Sequence, residues 1–524
     1  MRVLVSHAFL AVLPVAFSSV AVAAEGPPNI VVILADDLGY ADLGCQGCTD
    51  IPTPHIDSIA ESGVRCTSGY ATHPVCSPSR AGLLSGMYQH RFGFEHNSGP
   101  ERYAAENFGL PRNIPTLAEK LKAAGYATGM VGKWHIGFKE GLRPHERGFD
   151  YHYGFLSGAH NYLPDQPDND SIIRNGVPVT DEKEYLTDAF GRESAAFIER
   201  SKGGRFFLYL AFNAVHAPLQ ATSQYESRFP QIEDRERKTY AGMLTAMDDA
   251  VGRVLETLRK NQLEQNTLIV FYSDNGGPTA QTTSRNDPLR GYKGQVLEGG
   301  IRVPFLIQWK GKLPGGKVFD PMVMGFDVHA TALAAAGIVP AADKRLDGVD
   351  LVPFLTGERS GVPHETLFWR AGPQRAVRAG NWKLLQALQQ PPQLYNLRDD
   401  IGESTDLAAK QPEKLKELEA IYTAWDDQMM PAQWIRQDAR TEARRSAEGA
   451  QPRQGAGRRG AAALATVEER FRESDTNGDG KLLPSEYPQT QVFERMDANS
   501  DGVVTLEEAQ EAFRRRAATR GEKQ

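Results

Sequence analysis

Three nearly continuous apolar runs constrain this chain more than any other feature. Asn29-Ile30-Val31-Val32-Ile33-Leu34-Ala35, Phe206-Phe207-Leu208-Tyr209-Leu210-Ala211-Phe212 and Thr267-Leu268-Ile269-Val270-Phe271-Tyr272 leave no polar face for water. Strands of this kind are buried on both sides, as parallel sheets require. Between them lie helical patterns at Pro54 to Gly63, Ile114 to Gly125 and Thr239 to Lys260. In the last, Gly242, Met243, Met247, Val251, Val254, Leu255 and Leu258 recur at helical spacing. Strands alternating with helices predict an α/β domain with a mainly parallel sheet. Each run is closely followed by polar residues: Asp36-Asp37, Asn213 to His216, and Asp274-Asn275. In such sheets ligands bind beyond the carboxyl ends of the strands, so these groups are expected at one edge.

The chain has 524 residues, enough for more than one domain. Its formal charge of -7 offers no basic surface for nucleic acid, and no nucleic-acid partner is expected. Arg2, the apolar stretch Ala8 to Val22 and the small residues Ala21-Val22-Ala23-Ala24 read as an export signal over 1–24. No later stretch is long and apolar enough to span a membrane, so an exported protein, periplasmic or extracellular, is expected. Cys45 and Cys48 form a C-x-x-C without a second pair, which is poor support for a metal or redox site.

The main α/β domain is expected over 25–367. A smaller unit over 368–435 begins near Phe368, with short strands at Ala376 to Arg378, Trp382 to Leu385 and Gln393 to Leu397, then a helix at Pro412 to Met429. Residues 436–465, rich in Arg, Ala, Gly and Gln, read as a flexible basic linker. The tail, 466–516, carries two twelve-residue loops of EF-hand type whose starts are 22 residues apart. Asp475, Asn477, Asp479, Lys481 through its carbonyl and Glu486 are the ligands predicted for the first loop. Asp497, Asn499, Asp501, Val503 through its carbonyl and Glu508 are those of the second. Each loop is expected to hold Ca2+, with Phe471, Phe493, Val504 and Phe513 forming a small shared core. The close spacing is more like dockerin-type or short bacterial EF-hand tails, so the segment is a candidate for docking to a partner or surface.

Taken singly, the remaining motifs have ordinary readings: a helix cap, a turn, a surface lysine, a packed histidine. Together, Asp36, Asp37, Asp274 and Asn275 make an oxygen-rich set suited to a hard divalent cation, calcium before magnesium or manganese. In Cys76-Ser77-Pro78-Ser79-Arg80, a helix starting at Pro78 would hold Cys76 at its N-terminus. That position favours negative charge, and Arg80 would add a cation beside it. Lys133 and His135 lie two apart and would point the same way in an extended chain. His216 follows the second apolar run, and Lys293 precedes Glu298-Gly299-Gly300-Ile301-Arg302-Val303-Pro304.

The run from Cys76 to Gly86 resembles the signature of the type I sulfatases, in which this cysteine is oxidised to formylglycine. Asp36 to Gly39, Gly132 to His135, Ser273 to Gly276 and Lys293 to Pro304 are similar to further motifs of that family, in its order. The resemblance spans roughly residues 28 to 430 and points to its arylsulfatase and N-acetylgalactosamine-6-sulfatase branch. It implies an alkaline-phosphatase-like core with a small C-terminal antiparallel sheet. It also implies one catalytic Ca2+ on Asp36, Asp37, Asp274, Asn275 and the modified residue 76, and a sulfate pocket lined by Arg80, Lys133, His135, His216 and Lys293.

The implied activity is hydrolysis of sulfate esters, of a sulfated carbohydrate or an aryl sulfate. Asp274 would be the base for attack by residue 76. Lys133, Lys293 and His216 would neutralise charge, His216 or Lys293 would protonate the departing alcohol, and His135 would take the second hydroxyl's proton. A formylglycine-generating or anaerobic sulfatase-maturating enzyme would be the required partner. With Cys76 modified, one disulfide among Cys45, Cys48 and Cys66 is expected, the pairing open. Candidates for substrate selection lie between His145 and Asp188, among them His152, His160, Asn161 and Tyr162. The alternatives are a phosphodiesterase or phosphonate hydrolase on the same core, or a calcium-dependent docking protein whose catalytic domain has lapsed.

Overall fold

The strand Asn29–Ala35 is buried at every position, and it runs parallel to Phe206–Ala211 on one side and Thr267–Ser273 on the other. These belong to a computed structural model that describes residues 26–99, 105–166, 168, 170–339, 346–387, 390–434, 471, 475, 481–483, 496–497, 501 and 503–512. The expected signal 1–24 and linker 436–465 lie outside the described residues. The chain divides into two compact units, Met1–Ile435 and Arg436–Gln524.

In the first unit the central sheet has ten strands. From one edge they run Lys317–Phe319, Val64–Cys66, Phe305–Gln308, Thr267–Ser273, Asn29–Ala35, Phe206–Ala211, Ala127–Lys133, Tyr151–Phe155, Ile173–Arg174 and Val177–Pro178. The middle five are parallel, while Phe305–Gln308 and the two last edge strands pair antiparallel. Ala127–Lys133 does not read as a strand in the sequence because Gly129 and Gly132 interrupt its apolar run. Gly132 is required by close approach: its φ is 112°, and a Cβ there would run into the Ala211 carbonyl.

The period-two alternation of the central strand divides the core. Ile30, Val32 and Leu34 pack on one side with Leu83, Leu84 and Leu121. Val31, Ile33 and Ala35 pack on the other with Ile56, Phe190, Met243, Met247 and Val251. Each large side chain so buried contributes about 1.5–3 kcal/mol relative to exposure.

The long helix is Arg235–Lys260, beginning before the expected Thr239 because the Asp234 carboxylate accepts from the Arg237 N–H at 2.7 Å. The helix expected from Ile114 begins at Leu117, after Pro115. Thr116 caps it in a reciprocal pair with Glu119.

The small sheet is an antiparallel meander of Thr366–Ala371, Gln374–Ala379, Trp382–Gln386 and Gln393–Asn396, followed by the helix Pro412–Asp426. Its core also takes in Tyr70, Val296 and Ile301 from the first part of the chain. All four cysteines are free thiols, so the expected disulfide is not formed. Cys66 lies in the core of one sheet face, whereas Cys45 and Cys48 pack against the core of the other, where Cys48 Sγ donates to Asp50 Oδ1 at 3.2 Å instead of meeting Cys45.

In the second unit Lys481–Leu482 pairs antiparallel with Val504–Thr505, so that Leu482 and Val504, the eighth positions of the two loops, face each other. Phe471, Leu482, Val504 and Ala509 form its buried cluster; Phe493 and Phe513 lie outside the described residues. The Asp501 N–H donates to Asp497 Oδ1 at 3.2 Å and the Val503 N–H to Asp501 Oδ1 at 3.0 Å. Glu508 Oε2 accepts from the Thr505 N–H at 2.9 Å, and Asn477, Asp479, Glu486 and Asn499 lie outside the described residues. Among the described residues, no helix is long and apolar enough to cross a membrane.

Candidate active site

Four neighbouring strands, one more than the sequence suggests, end at the same edge. Asp36 and Asp37 follow Asn29–Ala35, and Asp274 and Asn275 follow Thr267–Ser273. His216 follows Phe206–Ala211, and Lys133 ends Ala127–Lys133. The ladder continues past the strand ends, with Asp36 N–H donating to Ala214 O at 2.9 Å and Asp274 N–H to Ala35 O at 3.1 Å. Asp37 and His135 have φ of 62° and 61°, a left-handed conformation that costs a non-glycine residue about 1–3 kcal/mol. The chain is therefore not extended at His135, and the expected parallel projection of Lys133 and His135 gives way to this bend.

The helix carrying Cys76 is Cys76–Ser85, starting two residues before the expected Pro78. Pro78 still falls where its missing N–H costs nothing, among the first unpaired turns. Cys76 is buried with Sγ 3.5 Å from Asp36 Oδ1. Arg80 lies within electrostatic reach of Cys76 while its Nε donates to Asp274 Oδ2 at 2.9 Å and NH1 to Lys133 O at 2.8 Å. Burial and then the Asp274 charge push the Cys76 thiol up to about 12. The helix N-terminus does not offset burial and the Asp274 charge at this position.

The remaining charges interlock. Lys133 Nζ lies 2.5 Å from Asp36 Oδ2, Lys293 Nζ 2.7 Å from Asp37 Oδ1, and His216 Nε2 3.7 Å from Asp37 Oδ2. Burial opposes ionisation of Asp36, but Lys133, His216, Arg80 and Lys293 together hold its carboxyl well below the usual range. Burial and the Asp36 charge push Asp274 the other way. Burial opposes the charge on Lys293, but Asp37, Cys76, Asp36 and Asp274 together raise it well above its ordinary value. Burial, then Lys133 and Arg80, lowers His135, and burial lowers His216, so both imidazoles are neutral.

Asp36, Asp37, Cys76 and His216 each bring a ligand atom within 4.8 Å of the others. Asn275 Nδ2 donates to Asp37 Oδ1 at 2.7 Å, while its buried Oδ1 has no partner. An orphaned amide oxygen beside two carboxylates fits a hard cation. Asp274 is engaged with Arg80 and with the Asp37 N–H, 3.4 Å from Oδ1.

A cavity of about 860 Å³ opens over Cys76, His135 and His216. Asn97 and Ser98 also line it, and no motif in the sequence marks them. The Ser77 N–H donates to Asn97 Oδ1 at 3.0 Å, and Ser98 Oγ donates to His135 O at 3.0 Å, so this loop braces both. The candidates for substrate selection separate. His160 and Asn161 line the cavity. His152 is wholly buried within Tyr151–Phe155, and the Tyr162 hydroxyl lies 2.5 Å from Asn213 O and 2.7 Å from His216 O, bracing the His216 loop.

Residues 28–338 match the family described as Sulfatase. The N-acetylgalactosamine-6-sulfatase of Canis lupus familiaris is 32% identical over 384 residues, which is 69% of this chain and 72% of that protein. The uncharacterized sulfatase YdeN of Escherichia coli (strain K12) is 32% identical over 398 residues, 66% of this chain and 69% of its own. The crystal structure of Ps i-CgsB in complex with k-i-k-neocarrahexaose superposes with a TM-score of 0.76 at 38% identity, covering 82% of this chain and 98% of that one.

Proposed function

This chain belongs to the sulfatase family, a sulfuric ester hydrolase on an alkaline-phosphatase-like core, and from that premise we propose an exported enzyme that desulfates sugars or polysaccharides through formylglycine at position 76. One observation carries the reading. Cys76 opens a helix at the base of a roomy cavity, with its sulfur beside Asp36. Export rests on the signal-like residues 1–24. A sugar substrate is supported by the relatives, one an N-acetylgalactosamine-6-sulfatase and one bound to k-i-k-neocarrahexaose.

Hydrated formylglycine supplies one hydroxyl to attack sulfur and a second whose deprotonation releases sulfate. Calcium held by Asp36, Asp37, Asp274, Asn275 and residue 76 would supply the positive charge that makes the attacking hydroxyl acidic. Asp274, its proton affinity raised by burial, takes the proton at the attacking oxygen. Lys133 and Arg80, already aligned on Asp36 and Asp274, hold charge against the sulfuryl oxygens. Lys293, kept protonated by Asp37, faces the departing oxygen, with His216 beside it as a neutral hydrogen-bonding partner. His135 is neutral with Nδ1 unpartnered, and so accepts the second hydroxyl's proton.

In this reading residues 25–367 carry the chemistry, 368–435 complete its core, and 466–516 bind further Ca2+ and dock the enzyme. The head-on pairing of Leu482 with Val504 supports the tail loops acting as one unit. The test begins with mass spectrometry of the tryptic peptide holding residue 76 from protein made with a maturation enzyme. The expected result is the mass loss from thiol to aldehyde, with sulfate released from a sulfated-glycan panel including k-i-k-neocarrahexaose and N-acetylgalactosamine 6-sulfate. Active protein carrying unmodified Cys76 would overturn the mechanism. Hydrolysis of phosphate diesters or phosphonate esters with no sulfate release would favour the alternative enzyme class.

A further inference from the structure

A side chain in the small C-terminal sheet reaches the segment that carries Lys293. Gln374 opens the strand Gln374–Ala379, and its amide meets the segment immediately after Lys293. Nε2 donates to Gly294 O at 2.8 Å, and Oε1 accepts from the Val296 N–H at 3.4 Å. One side-chain amide thus holds both ends of a three-residue turn, as a neighbouring strand would hold a backbone. The Gly294 N–H donates in turn to Pro74 O at 2.8 Å, two residues before Cys76. Gly294 has a φ of 87°, so the turn is left-handed there, and the bonds on its two sides define where Lys293 leaves the backbone.

The same turn is anchored farther along. The Glu298 N–H donates to Glu403 Oε2 at 2.8 Å, and Lys383 Nζ lies 2.8 Å from Glu298 Oε1 and 2.9 Å from Glu403 Oε1. That triad is wholly buried, whereas Gln374 is only half-buried. The Lys293 arm therefore has one end held by a buried ion triad and one end held by backbone bonds from Lys293 to Gly277 and from Gly294 to Pro74, to which the Gln374 amide adds the side-chain hold on Gly294 and Val296. Lys293 Nζ is aimed at Asp37, so a shift at Gly294 moves the cation facing the departing oxygen.

We propose that Gln374 is a positioning residue of the sulfatase reaction: it clamps Gly294 and Val296 so that Lys293 meets the leaving group and Pro74 holds the approach to residue 76. This deepens the reading above and rests on Lys293 bearing leaving-group charge. A displaced Lys293 matters most when the departing alkoxide is basic and least when it is a stable phenolate.

The test compares an unactivated sugar sulfate with 4-nitrophenyl sulfate in the full-length matured enzyme. Gln374→Ala is expected to lower kcat about 10- to 100-fold on the sugar sulfate, with a much smaller loss on the aryl ester and little change in KM. Gln374→Glu, isosteric but without the donor to Gly294, should behave likewise. Lys293→Ala should show the same leaving-group dependence more strongly, and adding Gln374→Ala to it should cost nothing further. Arg375→Ala, next on the strand but bonded to Gln386 at 2.6 Å, should leave both rates unchanged. Equal losses on both substrates, losses additive with Lys293→Ala, or a wild-type rate in Gln374→Ala would overturn the clamp. If Lys293→Ala kept full activity on both esters, the reading of Lys293 and the clamp would fall together.

Discussion

Two buried charge clusters in the first unit look alike by burial and differ in every other respect. Around Glu298, Lys383 is paired to Glu298 and Glu403, Arg302 reaches Glu298 at 3.4 Å, and the Tyr70 hydroxyl donates to Glu298 Oε2 at 2.6 Å. Around Asp36, Arg80, Lys133 and Asp274 are just as inaccessible. Yet that cluster borders a large cavity and leaves Asn275 Oδ1 and His135 Nδ1 buried without partners, whereas Glu403 Oε1, the Glu298-cluster atom without a hydrogen bond, still has the Lys383 ammonium at 2.9 Å. Burial alone therefore does not mark a site. A closed ion cluster spends its charges on one another, whereas a reactive one keeps unmet polar atoms turned toward space that a ligand can enter.

The comparison is open to breakage from the side of activity first. Lys133→Ala is expected to lower kcat per folded enzyme about 10²- to 10³-fold, beyond any fall in thermal stability. Activity that merely follows a loss of folded protein would show that the Asp36 cluster is as structural as the other.

The opposite change is expected from Lys383→Met, which strands two buried carboxylates and should destabilise the fold by about 3–5 kcal/mol. Denaturant titration measures this, and an unchanged midpoint would mean that the cluster around Glu298 is not closed in the way described.

A third ion pair sharpens the contrast through pH. His364 Nε2 lies 2.8 Å from Asp327 Oδ1, and that carboxylate raises the histidine above its ordinary value of 6.5 although burial opposes the charge. A base whose affinity for its proton is higher when folded adds stability below pH 6.5 and loses it as pH rises through the folded value. Thermal stability should fall across that window, and His364→Gln should remove the slope. A slope that survives the substitution would assign it to other groups.

The smallest effect is expected from deleting everything after Gly460. Hydrolysis of a small aryl sulfate should be unchanged, while a calcium-dependent change in the circular dichroism of the full chain should disappear. Loss of core activity would show that the tail is part of the catalytic machinery.

Much of the fold was legible because its central strands are buried on both faces and so leave nearly unbroken apolar runs. Asn29–Ala35 is read to the residue. Ala127–Lys133 escaped because its glycines, demanded by contact with the neighbouring strand, erase the pattern. Helix starts shifted where a cap decided them, as at Asp234 and Thr116. Asn97 and Ser98 carry no signal since they meet Ser77 and His135 only through folding.

The sequence by itself determined the chemistry available: which carboxylates, cations and imidazoles stand at strand ends, and a cysteine in a frame that resembles a maturation signature. Only the tertiary structure decided how those charges are shared. It paired Arg80 with Asp274, raised the thiol, and brought Gln374 from a separate sheet against the Lys293 turn. The reason is physical. Residue identity and local pattern act along the chain, whereas desolvation, counter-charge and hydrogen-bond geometry depend on neighbours tens to hundreds of residues away.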